Sequence, residues 1–235
     1  MSSLPQETKV VVIGGGIAGC STAYHLAKNG WSTVLIERDV LTSGTTWHAA
    51  GMITQLGTAP QITRLRKYSV EFYKDLNKIT GKDSSFKETG TINIAINKAR
   101  HQEYLRQKTM SKQFDINIEL INKRKFKDLY PIAKNSDVYS GLYIPEDGQA
   151  DPQILTKTIA DAARQEGAKI FENCKLEKII KRNDHVRAVK TNLGEIKCEY
   201  VVLCAGMWSR QIGEATGVSI PLYPNEHFYM ITEDY

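Results

Sequence analysis

Four cysteines (Cys20, Cys174, Cys198 and Cys204) in 235 residues, none in a C-x-x-C pair, exclude zinc-ribbon and dithiol redox motifs. They are expected as reduced thiols in a cytosol-like compartment. No apolar run approaches the roughly 18 residues needed to span a bilayer, so no membrane association is expected. The opening MSSLPQETK has no apolar signal core and is too short and too weakly basic to make a clear transit peptide. A cytoplasmic protein is the expectation, or a mitochondrial-matrix one for a eukaryotic source. An excess of one charge is also lacking, since 31 Lys and Arg stand against 26 Asp and Glu, a net charge of +5, with the basic residues scattered. Nucleic acid is therefore not an expected partner, and no metal site is expected. Internal repeats and low-complexity linkers are absent.

What is present is an ordinary globular composition, 41% hydrophobic and 24% charged. The length sits at the upper edge of one domain or the lower edge of two. Residues 10–13 (VVVI) form the continuous apolar run of a parallel strand covered on both faces. Gly14, Gly16 and Gly19 follow in G-x-G-x-x-G spacing, and 18–29 reads as a helix that stops at Gly30. The first glycine permits a tight turn, the second lets backbone approach a pyrophosphate, and the third lets helix and strand pack closely. Unpaired N–H groups and the dipole at the helix start then favour phosphate. A second strand over 32–37 ends in Glu37, whose carboxylate can accept from both ribose hydroxyls and would repel a 2′-phosphate. The pattern predicts an unphosphorylated dinucleotide.

Beyond this βαβ unit, Ile62, Leu65, Ser69, Phe72, Leu76 and Ile79 recur every three or four residues, predicting an amphipathic helix over 61–80. Alternation over 89–96 predicts a half-exposed antiparallel strand. A polar helix (99–113), a strand (116–120) and a short helix ending before Pro131 follow. Asp151 and Pro152 start a helix that stops at Gly167. Residues 169–197 read as a small β-meander, and 200–204 (YVVLC) as a buried strand rejoining the first sheet. A last strand is expected over 227–232 (HFYMIT), and a chain stopping three residues later with no closing helix is expected to be a fragment.

The segments GGGIAGCSTAYHLAKNG, VLIERD, LTSGTTWHAAG, DGQADP and VVLCAGMWS together resemble the D-amino-acid-oxidase-like flavoproteins, and within them the sarcosine and dimethylglycine dehydrogenase group. The resemblance covers essentially the whole chain. It implies an α/β fold with a truncated Rossmann-like FAD-binding domain (1–52 and 146–218) and an inserted α+β substrate domain (53–145 and 219–235). It implies FAD carried covalently by His48 through the flavin 8α-methyl, although an isolated histidine is by itself more often a hydrogen-bonded core or surface residue. Gly16 and Ile17 would touch the pyrophosphate, Glu37 and Arg38 the ribose. Gly44, Thr45, Thr46, Trp47, His48, Ala49, Ala50, Gly51 and Met52 would run along the phosphates and flavin. Leu176 would hold the adenine through its backbone and Trp208 would lie near the cofactor; ordinary core packing is the alternative for both. His227 matches a family histidine near the substrate.

The implied activity is hydride transfer from the N-methyl carbon of sarcosine, dimethylglycine or a related amine to flavin N5. An electron-transfer flavoprotein or oxygen would be the acceptor, with tetrahydrofolate bound in a region beyond this chain. The alternatives are a non-catalytic relative of the phosphatase regulatory-subunit type, and an inactive fragment.

Overall fold

The computed structural model describes residues 3–231 and Glu233. The chain begins with β1 (Val10–Ile13), α1 (Ile17–Lys28) and β2 (Thr33–Ile36). It continues through β3 (Met52–Ile53), α2 (Pro60–Thr80), β4 (Thr91–Ala95), α3 (Lys98–Ser111), β5 (Glu119–Ile121), α4 (Lys123–Leu129), β6 (Ser140–Ile144), β7 (Gly148–Gln149) and α5 (Pro152–Gln165). It ends with β8 (Lys169–Phe171), β9 (Leu176–Arg182), β10 (His185–Thr191), β11 (Gly194–Lys197), β12 (Tyr200–Leu203) and α6 (Ser209–Thr216). Two compact units result, one of Met1–Trp47 with Ile159–Tyr235, the other His48–Thr158.

The first unit is a parallel sheet in the order β12-β1-β2-β8, so β1 lies between neighbours from both ends of the chain. All four residues of β1 and of β2 are buried, which is why both read as unbroken apolar runs. Against one face pack Val189 and Ile196 of an antiparallel sheet, β11-β10-β9, which form a core with Val11, Ile13, Val34, Ile36 and Phe171. Helix α1 packs on β1 and β2, burying Cys20, Ala23, Tyr24 and Ala27. The meander is shorter than expected. Lys169–Phe171 leaves it to pair in parallel with β2, where Phe171 joins the core.

The second unit holds a three-stranded antiparallel sheet, β4-β6-β5, and the two-stranded β3-β7. Tyr104 from α3 packs in a core with Ala95, Leu142 and Ile144; Phe126 from α4 packs with Ile121 and Val138. The strand expected at 116–120 begins instead at Glu119. Ile116 and Ile118 precede it and bury their side chains in the α3 core without strand pairing. The α2 stripe is also only partly core, with Phe72 and Leu76 buried but Ile62 42% and Leu65 61% exposed.

Met52–Ile53 pairs with Gly148–Gln149 within the second unit, and the described residues 219–231 lie in the first. Residues 227–231 form no strand, and Phe228 is 93% exposed. A run of apolar residues does not make a strand without a hydrogen-bonding neighbour, and none pairs with these residues among those described. Thr232, the last residue of that expected strand, lies outside the described residues.

Candidate functional site

A cavity of about 660 Å³ opens at the carboxyl ends of β12, β1 and β2. This is where open α/β sheets bind ligands, and the volume lies within the usual range of cofactor sites, about 300–1,000 Å³. Its floor is the β1–α1 turn. Gly14 has φ +112°, and a Cβ there would strike the Cys204 carbonyl. A Cβ on Gly19 would strike the Gly14 carbonyl, so Gly19 lies behind the cavity and lets α1 close on the sheet. A Cβ on Gly16 would come 2.9 Å from Thr46 Oγ1. Gly16 caps α1 with no side-chain bond, and Gly16, Ile17 and Ala18 at the start of the helix line the cavity. Ile17 N donates to Thr46 Oγ1 at 3.3 Å.

Glu37, just past β2, is fixed by backbone. Gly15 N donates to its Oε2 at 2.6 Å and Asp39 N to its Oε1 at 3.0 Å. Each oxygen retains acceptor capacity, so a diol can be recognised without moving the side chain. Beyond it, the Arg38 guanidinium lies 4.0 Å from the centre of the Trp208 ring and pairs with Asp39 at 3.1 Å. Arg38 follows β2 and Trp208 follows β12, so the two meet from either side of β1. Gly44 accommodates the indole edge, which a Cβ there would meet at 3.4 Å.

The cavity thus brings together Gly14, Gly16, Ile17, Glu37, Arg38, Gly44, Thr45, Thr46, Leu176 and Trp208. Trp47, His48, Ala49, Ala50, Gly51, Met52 and His227 are not among its walls. Trp47, His48, Ala49 and Ala50 are exposed, with Thr46–His48 forming a 3-10 turn. His227 is exposed as well. Sequence reasoning missed Gly15, whose N–H anchors Glu37, and Lys175, Ser209, Gln211, Ile212 and Leu222 of the wall. The signal for the wall after β12 was the Ala205-Gly206 step, where Gly206 turns at φ +53°. Nothing in the local pattern marked Lys175 or Gln211.

Cys174 and Cys204 also line the cavity. Burial pushes both thiols above their ordinary range, and behind the turn it pushes Cys20 up to about 12. Thiols raised by burial in this way are poorly disposed to act as nucleophiles. Among the described residues no three His, Cys, Asp or Glu side chains are placed to hold a metal, and no helix is long and apolar enough to cross a membrane.

A parallel sheet, a glycine turn whose space admits no Cβ, and an anchored acid at the end of the second strand define a Rossmann-type dinucleotide-binding protein. The chain belongs to the DAO family of FAD dependent oxidoreductases, which matches residues 9–235. Its cofactor is accordingly FAD, and the glycine cradle and fixed carboxylate fit the pyrophosphate and ribose of that group.

Sarcosine dehydrogenase, mitochondrial, of Mus musculus is 40% identical over 237 residues, covering 98% of this chain and 26% of that protein. The 4-methylaminobutanoate oxidase (formaldehyde-forming) of Paenarthrobacter nicotinovorans is 37% identical over 228 residues, covering 97% and 28%. The mitochondrial pyruvate dehydrogenase phosphatase regulatory subunit of Mus musculus is 33% identical, covering 98% and 26%. The chain therefore spans about a quarter of the length of these curated relatives. In structure it is similar to L-proline dehydrogenase from P. horikoshii, with a TM-score of 0.86 at 32% identity over 92% of this chain and 57% of that one.

Proposed function

We propose that the protein to which this chain belongs oxidises a small N-methylated amino acid, with FAD bound in the cavity and attached to His48. The observation that carries this reading is the 37–40% identity, over nearly the whole chain, to two enzymes named for such amines. It is supported by the position of His48, two residues beyond the cavity-lining Thr46.

When bound, the flavin would supply N5 as acceptor of a hydride from the N-methyl carbon of the amine. The chain's own residues do the holding. The α1 first turn and the glycine backbone carry the pyrophosphate, with Thr46 Oγ1 beside them. Glu37 accepts from the ribose hydroxyls, and Leu176 and Trp208 flank the nucleotide end. His227 is assigned to orient the amine and favour its neutral form. The oxidised substrate is an iminium ion, which water converts to formaldehyde and the demethylated amine, or whose one-carbon unit tetrahydrofolate takes. An electron-transfer flavoprotein or oxygen receives the electrons, in the mitochondrial matrix for a eukaryotic source.

Anaerobic addition of sarcosine, dimethylglycine or 4-methylaminobutanoate to the flavin-loaded protein tests the reading. Bleaching of the flavin band by one of them is expected. A yellow protein that none of them bleaches would support the second reading, a regulatory relative, which the identity to the phosphatase subunit favours.

A further inference from the structure

We propose that Asp147 is a positioning residue for flavin attachment, holding the segment that carries His48; this rests on the attachment reading above. Residues 48–50 are exposed and belong to no strand. The first firm structure after them is supplied by 147–150. Ala150 N donates to the Gly51 carbonyl at 2.9 Å, Met52 and Ile53 pair with Gln149 and Gly148, and Gln55 N donates to Asp147 Oδ1 at 2.9 Å. Gly51 turns there at φ +74°, against the Ala150 carbonyl, which leaves no room for a Cβ.

The splint is itself pinned from its other side. Lys87 and Gln149 exchange backbone hydrogen bonds at 2.8 and 2.9 Å, and a Cβ on Gly148 would strike the Lys87 carbonyl. Asp147, fully buried, ties the two sides together: Oδ1 accepts from Gln55, while Oδ2 accepts from the Thr91 hydroxyl of β4 at 2.6 Å. A buried carboxylate is costly unless its oxygens are satisfied, so its partners are held firmly in place. Asp147 thereby transmits the rigidity of the β4-β6-β5 sheet to the strand that follows His48.

Attachment requires such placement. An imidazole N–H and one C–H of the 8α-methyl break, a C–N bond forms, and the two protons and two electrons end on dioxygen as hydrogen peroxide. A misplacement of about 1 Å costs such a reaction about 100-fold.

The test compares wild type, Asp147→Ala and Asp147→Asn, each freed of flavin during expression in riboflavin-starved cells and then given FAD in air. Two quantities are read: the dissociation constant for FAD before attachment, and the rate at which acid-stable yellow protein appears. The cavity lies in the other unit, so Asp147→Ala is expected to keep the wild-type dissociation constant and to attach flavin about 100-fold more slowly. Asp147→Asn retains an acceptor for Gln55 N and a donor for the Thr91 hydroxyl, so it is expected to recover most of the rate; if the alanine variant fails to fold, Thr91→Val, which removes the donor to Oδ2, takes its place and is expected to slow attachment with FAD affinity unchanged. An unchanged rate in Asp147→Ala, or a loss of rate matched by loss of FAD affinity, overturns the proposal. Wild-type protein that releases all its flavin into acid overturns the attachment reading itself.

Discussion

The cavity proposed for FAD and the His48 segment adjoin in sequence and are built by opposite means. The cavity is made of backbone, and glycines occupy the points where a side chain would block the turn or the ligand. Its anchoring carboxylate, Glu37, is held by two main-chain N–H groups. The His48 segment is exposed, and the strand that follows it pairs with a short strand about 100 residues further along the chain, next to a buried carboxylate that accepts from Gln55 N. The first construction tolerates few substitutions and is marked by spacing; the second depends on distant partners and has no spacing of its own. Binding and attachment of the cofactor should therefore respond to different mutations.

The largest expected effect is on the cavity side. Gly19→Val places carbon against the Gly14 carbonyl and is expected to cost about 3 kcal/mol or more of stability and to abolish FAD binding, read by urea unfolding and flavin titration. Gly30→Ala, at φ +78° with nothing within 4 Å, is the control, costing about 1 kcal/mol from backbone strain alone. Next, Glu37→Ala removes an ionised acceptor and leaves the Gly15 N–H without its partner. FAD affinity should fall by about 2 kcal/mol, roughly 30-fold, in an equilibrium titration.

Thr46→Val is expected to cost about 1 kcal/mol of FAD affinity, because the hydroxyl that bonds the first turn of α1 is lost. If these cavity variants changed attachment at His48 without changing affinity, the contrast between the two regions would break.

The smallest effect is a pH dependence in the second unit. Burial pushes the Asp147 carboxyl above the usual carboxylate range, despite the bonds from Thr91 and Gln55 that lower it. Between the ordinary and the raised value the folded protein holds a proton that the unfolded chain has released. The stability contributed by this group therefore falls as pH rises through that window and is regained on acidification. Urea midpoints of wild type and Asp147→Asn, measured from about pH 4 to 7, should differ in slope with that sign.

Much of the fold was legible because the first unit follows local rules. Continuous apolar runs gave β1, β2 and β12, and the glycine spacing and Glu37 gave the cavity floor. The rest depended on distant contacts. Ser140–Ile144, the central strand of its sheet, escaped notice because its SGLYI pattern is buried on both faces and interrupted by Gly141, which fits closely against Ile121 and Ile92. Ile62 and Leu65 continue the periodicity of α2 yet stay 42% and 61% exposed, since periodicity does not report what faces a helix. Glu37 was visible from its place after a strand, whereas Asp147 stood out only as the first residue of the DGQADP segment, with no role attached: nothing local distinguishes it from a turn aspartate. Its partners Gln55 and Thr91 lie 92 and 56 residues away. The role proposed for His48 came from family resemblance alone, because a lone histidine in a short 3-10 turn is not marked by local pattern.

The claim that cofactor binding and cofactor attachment are separate constructions meets its most direct test at His48. Wild-type protein grown with riboflavin is digested, and the peptide containing His48 is weighed by mass spectrometry after acid treatment, beside His48→Ala. The account predicts one flavin per chain on the wild-type peptide, and a His48→Ala protein that binds FAD but releases it into acid. An unmodified wild-type peptide, or a His48→Ala chain that still carries acid-stable flavin, would contradict it.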